Sequence, residues 1–166
     1  MKKMILVAVL ALSSTAFAQD VVVKECSVTM KHLETNKPVD MTMKVIAKGK
    51  RLSAVIIQTS EGVTNSYSDV AEIQEEKVRA NLTAESELDD LNQAERLIVH
   101  AMILSEDPVF EGAYSAGINL KKVRSAKMYI VGKETNMGSS TIVEARDENN
   151  QVLGSFLGGF LVSPCK

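Results

Sequence analysis

Residues 69–81 read DVAEIQEEKVRAN, and the fold turns on how that stretch is taken. Asp69, with Glu72 three residues later, has the spacing of a capping box. In that motif an N-cap side chain and an acidic side chain satisfy each other's backbone N–H groups, which favours a short helix. Ile73 and Val78 suit a strand. Both readings stay open within the stretch itself, and the segments on either side carry the analysis outward.

Toward the N-terminus the pattern is β. In VDMTMKVIA, residues 39–47, Val39, Met41, Met43, Val45 and Ala47 fall on one side and Asp40, Thr42 and Lys44 on the other. A period of two residues with one apolar face marks an antiparallel strand resting on a core. Residues 21–31 are β-branched and partly alternating, with Val22, Cys26, Val28 and Met30 sharing a face, and Thr35 to Pro38 form the intervening turn. A basic tip at residues 48–51 leads to a third strand over 52–59. Ser60-Glu61-Gly62 turns into a fourth over 63–68.

Toward the C-terminus a helix is expected from Thr83 onward. Thr83 or Ser86 can cap it, and Glu85, Glu87, Asp89 and Asp90 complement its positive end. Leu88, Leu91, Ala94, Ile98 and Met102 recur at helical spacing, and LIVHAMIL (97–104) is apolar nearly all round, so the helix should lie deep against the sheet. A long irregular connection over 105–122 follows, then strands over 126–131, 139–146 and 151–162. The expected fold is α+β: a strongly curved, mostly antiparallel sheet of about seven strands, in the order strands–helix–strands, wrapped on one central helix and nearly closing into a barrel.

The N-terminal residues place the chain in the cell. Lys2 and Lys3, the apolar run from Met4 to Leu12 and Ala16-Phe17-Ala18 make a secretory signal peptide, with cleavage after Ala18. The apolar run is far short of the ~20 residues of a spanning helix, so no transmembrane anchor is expected. Residues 1–18 are therefore the signal and 19–166 a single exported domain, periplasmic or, alternatively, fully secreted. Cys26 and Cys165 are the only cysteines, and in an oxidising compartment they should pair and staple the last strand to the first. That last strand, GSFLGGFLVSPCK from Gly154, is apolar on both faces: Phe156, Phe160 and Val162 one way, Leu153, Leu157 and Leu161 the other. It is either covered on both sides or offers a face to a partner.

Function is bounded mostly by exclusion. Without Lys2 and Lys3 the 19 basic residues fall to 17 against 21 acidic ones, a net charge of −4. That lacks the basic footprint of nucleic-acid binding. No glycine loop cradles a phosphate or dinucleotide, so no cofactor is indicated. Met30, His32, Met41 and Met43 on the first hairpin carry soft ligands suited to Cu(I), against which stands core packing by adaptable methionines. His100 could serve a hydrolase with nearby acidic residues, although no nucleophile motif accompanies it. The carboxylate pairs at 75–76, 85/87 and 89–90 read as solvated helical positions. The best site for a partner is the 105–122 connection, with Phe110, Tyr114 and Ile118, together with the Phe156/Phe160 face. The resulting expectation is a non-enzymatic exported binding domain for an unknown protein or small apolar ligand; the alternatives are a periplasmic copper binder and a His100 hydrolase. Oligomeric state is not legible.

Overall fold

Strand β4, Val63–Lys77, runs straight through the opening stretch. Its second half pairs with β5, Ser125–Val131, from Ala71 opposite Val131 to Lys77 opposite Ser125. The capping-box groups make other bonds: Asp69 accepts the neighbouring Val70 N–H, and Glu72 accepts from the Gln74 side chain. A helix here would have no continuous apolar stripe to bury, whereas a strand sends Ala71 into the core beside Val131. The computed structural model describes residues 19–32, 34–105, 118–132, 140–158, 160–162 and 165–166.

The remaining strands are β1 Val21–Lys31, β2 Pro38–Lys48, β3 Arg51–Ser60, β6 Thr141–Arg146, β7 Val152–Leu157 and β8 Phe160–Val162. All eight follow one another in sequential order, each antiparallel to the next. The first half of β4 pairs with β3 and the second half with β5. With 15 residues β4 reaches roughly 50 Å, long enough to belong to two layers.

The expected single last strand is instead two. Gly158, at φ 58°, lies in the turn that folds β8 back on β7, so Phe156 faces Leu161 and Leu157 faces Phe160 in register. The reversal explains the two-faced apolar pattern. Val162 packs with Leu157 in the interior between the layers, and Phe156 packs on the opposite side of the sheet. Just beyond, Glu25 and Lys166 exchange backbone hydrogen bonds of 2.8 and 3.0 Å. Cys26 and Cys165 are joined by a disulfide with Cα atoms 4.7 Å apart. The strand order thus returns to β1, and the sheet is nearly closed like a barrel.

Two cores result. One fills the space between the layers, with Met43, Val45 and Ile56 facing Tyr129, Ile142 and Leu157. The other lies under the one α-helix described, α1, Gln93–Ser105, whose Ala94, Ile98 and Val99 cover Met128, Val143 and Phe156. Each large side chain fully buried here contributes roughly 1.5–3 kcal/mol. The fold is mostly sheet, and α1 lies on the outer side of β5–β7; it is not an axis for the whole sheet to wrap around.

The helix also begins later than its acidic run suggests. Residues 88–90 form a 3₁₀ turn, and Asn92 caps α1 in place of Thr83 or Ser86, which bond each other in a local turn. Asn92 Oδ1 accepts the Glu95 N–H at 2.9 Å and Glu95 Oε2 accepts the Asn92 N–H at 2.8 Å, a reciprocal cap. Among the described residues no helix is long and apolar enough to cross a membrane.

Candidate functional site

The positions singled out in the sequence separate into core, seam and surface. Phe156 is 0 % and Ile118 7 % exposed, both in the core under α1, so neither presents a surface. Phe110 and Tyr114 lie outside the described residues. Phe160 is placed in β8 by its backbone. His100, expected among apolar neighbours, is exposed, because LIVHAMIL turns only part of its circumference to the sheet. Glu75 and Glu76 are on a strand: Glu75 pairs with Lys127, and Glu76 accepts the Ala94 N–H at the start of α1.

Of the four soft-ligand candidates, three belong to one core and the fourth lies on the surface. Met43 is fully buried, and Met30 and Met41 pack against the same inter-layer core. His32 is exposed, and its Nδ1 is engaged by the Glu34 and Thr35 N–H groups of the turn, at 3.3 and 3.4 Å. Among the described residues no group of three His, Cys, Asp or Glu side chains is placed to hold a metal ion.

Buried charge is concentrated in two places that composition did not reveal. At the seam, fully buried Glu144 meets Lys24 Nζ at 2.5 Å and Arg146 Nη2 at 2.7 Å, while Arg146 also donates to Asn150 and ties down the β6–β7 turn. Ser155 Oγ accepts the Cys165 N–H. Burial first, and then the Glu144 charge, push the Tyr129 hydroxyl above its ordinary value. Lys24 and Arg146 each pair with one Glu144 oxygen, which ties β1 to β6 at the seam.

At the head of α1, Glu95 is also fully buried. It accepts the Arg79 N–H at 2.6 Å and the Arg79 guanidinium at 3.2 Å, besides the Asn92 N–H. Burial pushes the Glu95 carboxyl up, but the Arg79 and Asn92 N–H groups and the guanidinium outweigh it, and the group lies below its ordinary value. A cleft of about 400 Å³ opens beside Arg79, floored by Leu82 and Leu91. It is hollowed out of a single loop, and its one cation is committed to Glu95.

A second groove, about 470 Å³, is framed by separate elements. β4 supplies Val70, Glu72 and Gln74. β5 supplies Ile130 and Val131, with Gly132 just beyond, and Gln93 at the start of α1 closes the third side. Gly132 donates its N–H to Val70 O at 2.8 Å, which fixes the inner end. A Cβ on Gly132 would stand 3.2 Å from that carbonyl, tighter than most such contacts, and 3.6 Å from both Asp69 carboxylate oxygens. Asp69 Oδ1 bonds the Val70 N–H, whereas Asp69 Oδ2 is buried with no hydrogen-bond partner. The size fits a small ligand or a few residues of a peptide. Sequence inspection missed the groove because its walls come from three separated segments; the one local signal was the alternation of Glu72, Gln74 and Glu76, which the competing helical reading obscured.

Compared with protein-family models, with curated proteins and with solved structures, the chain matches none.

Proposed function

We propose that this is a non-enzymatic binding domain, exported to the periplasm and held shut by its disulfide, whose ligand occupies the groove between β4, β5 and the head of α1. The observation that carries the proposal is the framing of that groove. Its walls are two paired strands and a capped helix start, each anchored in a buried core. A surface hollow on rigid elements is pre-organised, so a ligand binds without ordering the protein first. Export is supported by the N-terminal pattern of residues 1–18, and the Cys26–Cys165 bond is compatible with an oxidising compartment.

Native mass spectrometry of the protein, purified gently from the exported fraction, tests this. The expected spectrum shows a chain cleaved after Ala18, two hydrogen atoms lighter than its reduced form, and carrying a second non-covalent mass that collisional activation removes. A chain that retains no such mass and gains none when incubated with concentrated envelope extract overturns the binding reading.

A further inference from the structure

The end of the sheet where β1 begins carries a second surface, which shares only Val70 with the groove. Directly opposed residues of neighbouring strands share a face, and Val22, Ile46, Ser53 and Val70 stand in one row across β1, β2, β3 and β4. Three strand spacings make that row roughly 14 Å wide. Val22 is 51 % and Val70 71 % exposed, and Ile46 is half-buried. A register shift between Val22 and Lys24 leaves Val23 without an opposite residue, and Val21 and Val23 are exposed beside the row. Four of the nine large apolar side chains exposed among the described residues are thus at this corner. Single exposed valines are ordinary, whereas a cluster marks a contact surface.

Charge indicates what covers it. The β2–β3 tip begins two residues after Ile46 and ends two before Ser53, within roughly 7 Å of the row. Lys48, Lys50 and Arg51 are all exposed there, and a Cβ on Gly49 would meet nothing within 4 Å, so the tip projects into open space. The neighbouring acids are already engaged. Asp20 pairs with Lys48 at 3.4 Å, Glu25 pairs with Lys44 at 3.2 Å, and Glu72 accepts from the Gln74 amide. Lys50 and Arg51 have no ion-pair partner among the described residues. The mature chain is acidic overall, yet this end sets uncompensated cations beside aliphatic side chains.

An anionic bilayer fits that pairing. Its headgroups attract Lys and Arg, and short aliphatic side chains enter the boundary with the acyl chains without needing a matching pocket. The location agrees on the export reading above: cleavage after Ala18 leaves Gln19 as the residue nearest the membrane, two before Val21. We infer that this corner docks the exported domain reversibly on an anionic phospholipid surface, with Lys50 and Arg51 at the headgroups and Val22 and Val70 at the edge of the acyl layer.

The test is co-sedimentation with vesicles of the mature protein, its disulfide intact and its cleavage after Ala18 verified by mass. One set of vesicles is phosphatidylcholine alone, the other phosphatidylcholine with phosphatidylglycerol. Saturable pelleting is expected with the anionic set only, and it should be lost at about 1 M salt, where charges are screened within roughly 3 Å. Lys50→Gln with Arg51→Gln should weaken binding roughly 25-fold, about fivefold for each cation removed. Val22→Thr with Val70→Thr keeps both β-branched shapes and should weaken binding roughly tenfold. All four positions are exposed, so both variants should melt within about 3 °C of the parent. The inference falls if anionic vesicles pellet no protein at lipid concentrations on the order of 5 mM, which would leave the corner to an acidic protein partner. It falls equally if either double variant binds as well as the parent. The groove is judged separately: a mass retained in the native spectrum without pelleting leaves the groove ligand standing alone, and pelleting without a retained mass leaves the membrane contact alone.

Discussion

Replacing both Cys26 and Cys165 with alanine asks how the ring is held. The bond spans a sequence separation of 139 residues, so it confines nearly the whole unfolded chain. For a loop this long the chain-entropy relation gives about 5 kcal/mol. Cys26 is 2 % exposed, and the void left by its sulfur adds about 1 kcal/mol. Against this, the reciprocal Glu25–Lys166 backbone bonds and the Lys24–Glu144 ion pair remain available. The expected net loss is about 3–5 kcal/mol in urea unfolding, with a melting temperature lower by roughly 10 °C and a steeper denaturant dependence, because the freed unfolded chain exposes more surface. Hydrogen exchange supplies the local test. The Glu25 and Lys166 amides should lose protection while those of Met128 and Ile142 keep theirs. If the variant unfolds within about 1 kcal/mol of the parent, with Glu25 and Lys166 equally protected, closure does not depend on the covalent bond.

Glu95→Gln should lower stability by about 2 kcal/mol at neutral pH, since a buried carboxylate then loses its charge-assisted bonds. Because the folded Glu95 carboxyl lies below its ordinary value of 4.5, its contribution is present above that pH and is lost as pH falls through the folded value. Urea midpoints measured from pH 7 downward should therefore drop less in Glu95→Gln than in the parent. Phe156→Ala should cost about 3–5 kcal/mol, as for any large side chain removed from a closed core, and calorimetry would expose a smaller loss if this face were a docking surface. Met41→Leu with Met43→Leu should cost less than about 1.5 kcal/mol per site and leave Cu(I) titrations unchanged; loss of a stoichiometric Cu(I) site in the variant would restore the metal reading.

Legibility in the sequence followed the range of the forces involved. Residues 39–47 could be read because one buried face imprints a period of two directly on the chain, and the structure keeps Val39, Met43 and Val45 inside. Ala94 and Ile98 were readable on α1 for the analogous reason. The pairing of Cys26 with Cys165 needed only chemistry and a count of two. Residues 69–77 resisted because the capping-box spacing is local, whereas the partner that makes them a strand, β5, comes only after α1. The start of α1 was misplaced because acidic residues from 85 to 90 look like a first turn, although a 3₁₀ turn and Asn92 intervene. The turn at Gly158 was not separated from the strand because the apolar residues resume directly after the glycines. Glu144 and Glu95 gave no warning, since a buried charge is recognisable only once its cations are in place.

The return of the strand order to β1 has a consequence for the order of events in the cell. A chain emerging N-terminus first can pair β1 with β2 at once, by a short hairpin. The opposite edge of β1 must wait for Cys165 and Lys166. Until they emerge, Cys26 is a lone thiol beside an uncovered strand edge, the kind of template that recruits other chains. Closure is therefore the slowest contact by sequence distance and one of the last that can form. The thiol oxidation that completes it also fixes the cover over that edge of β1.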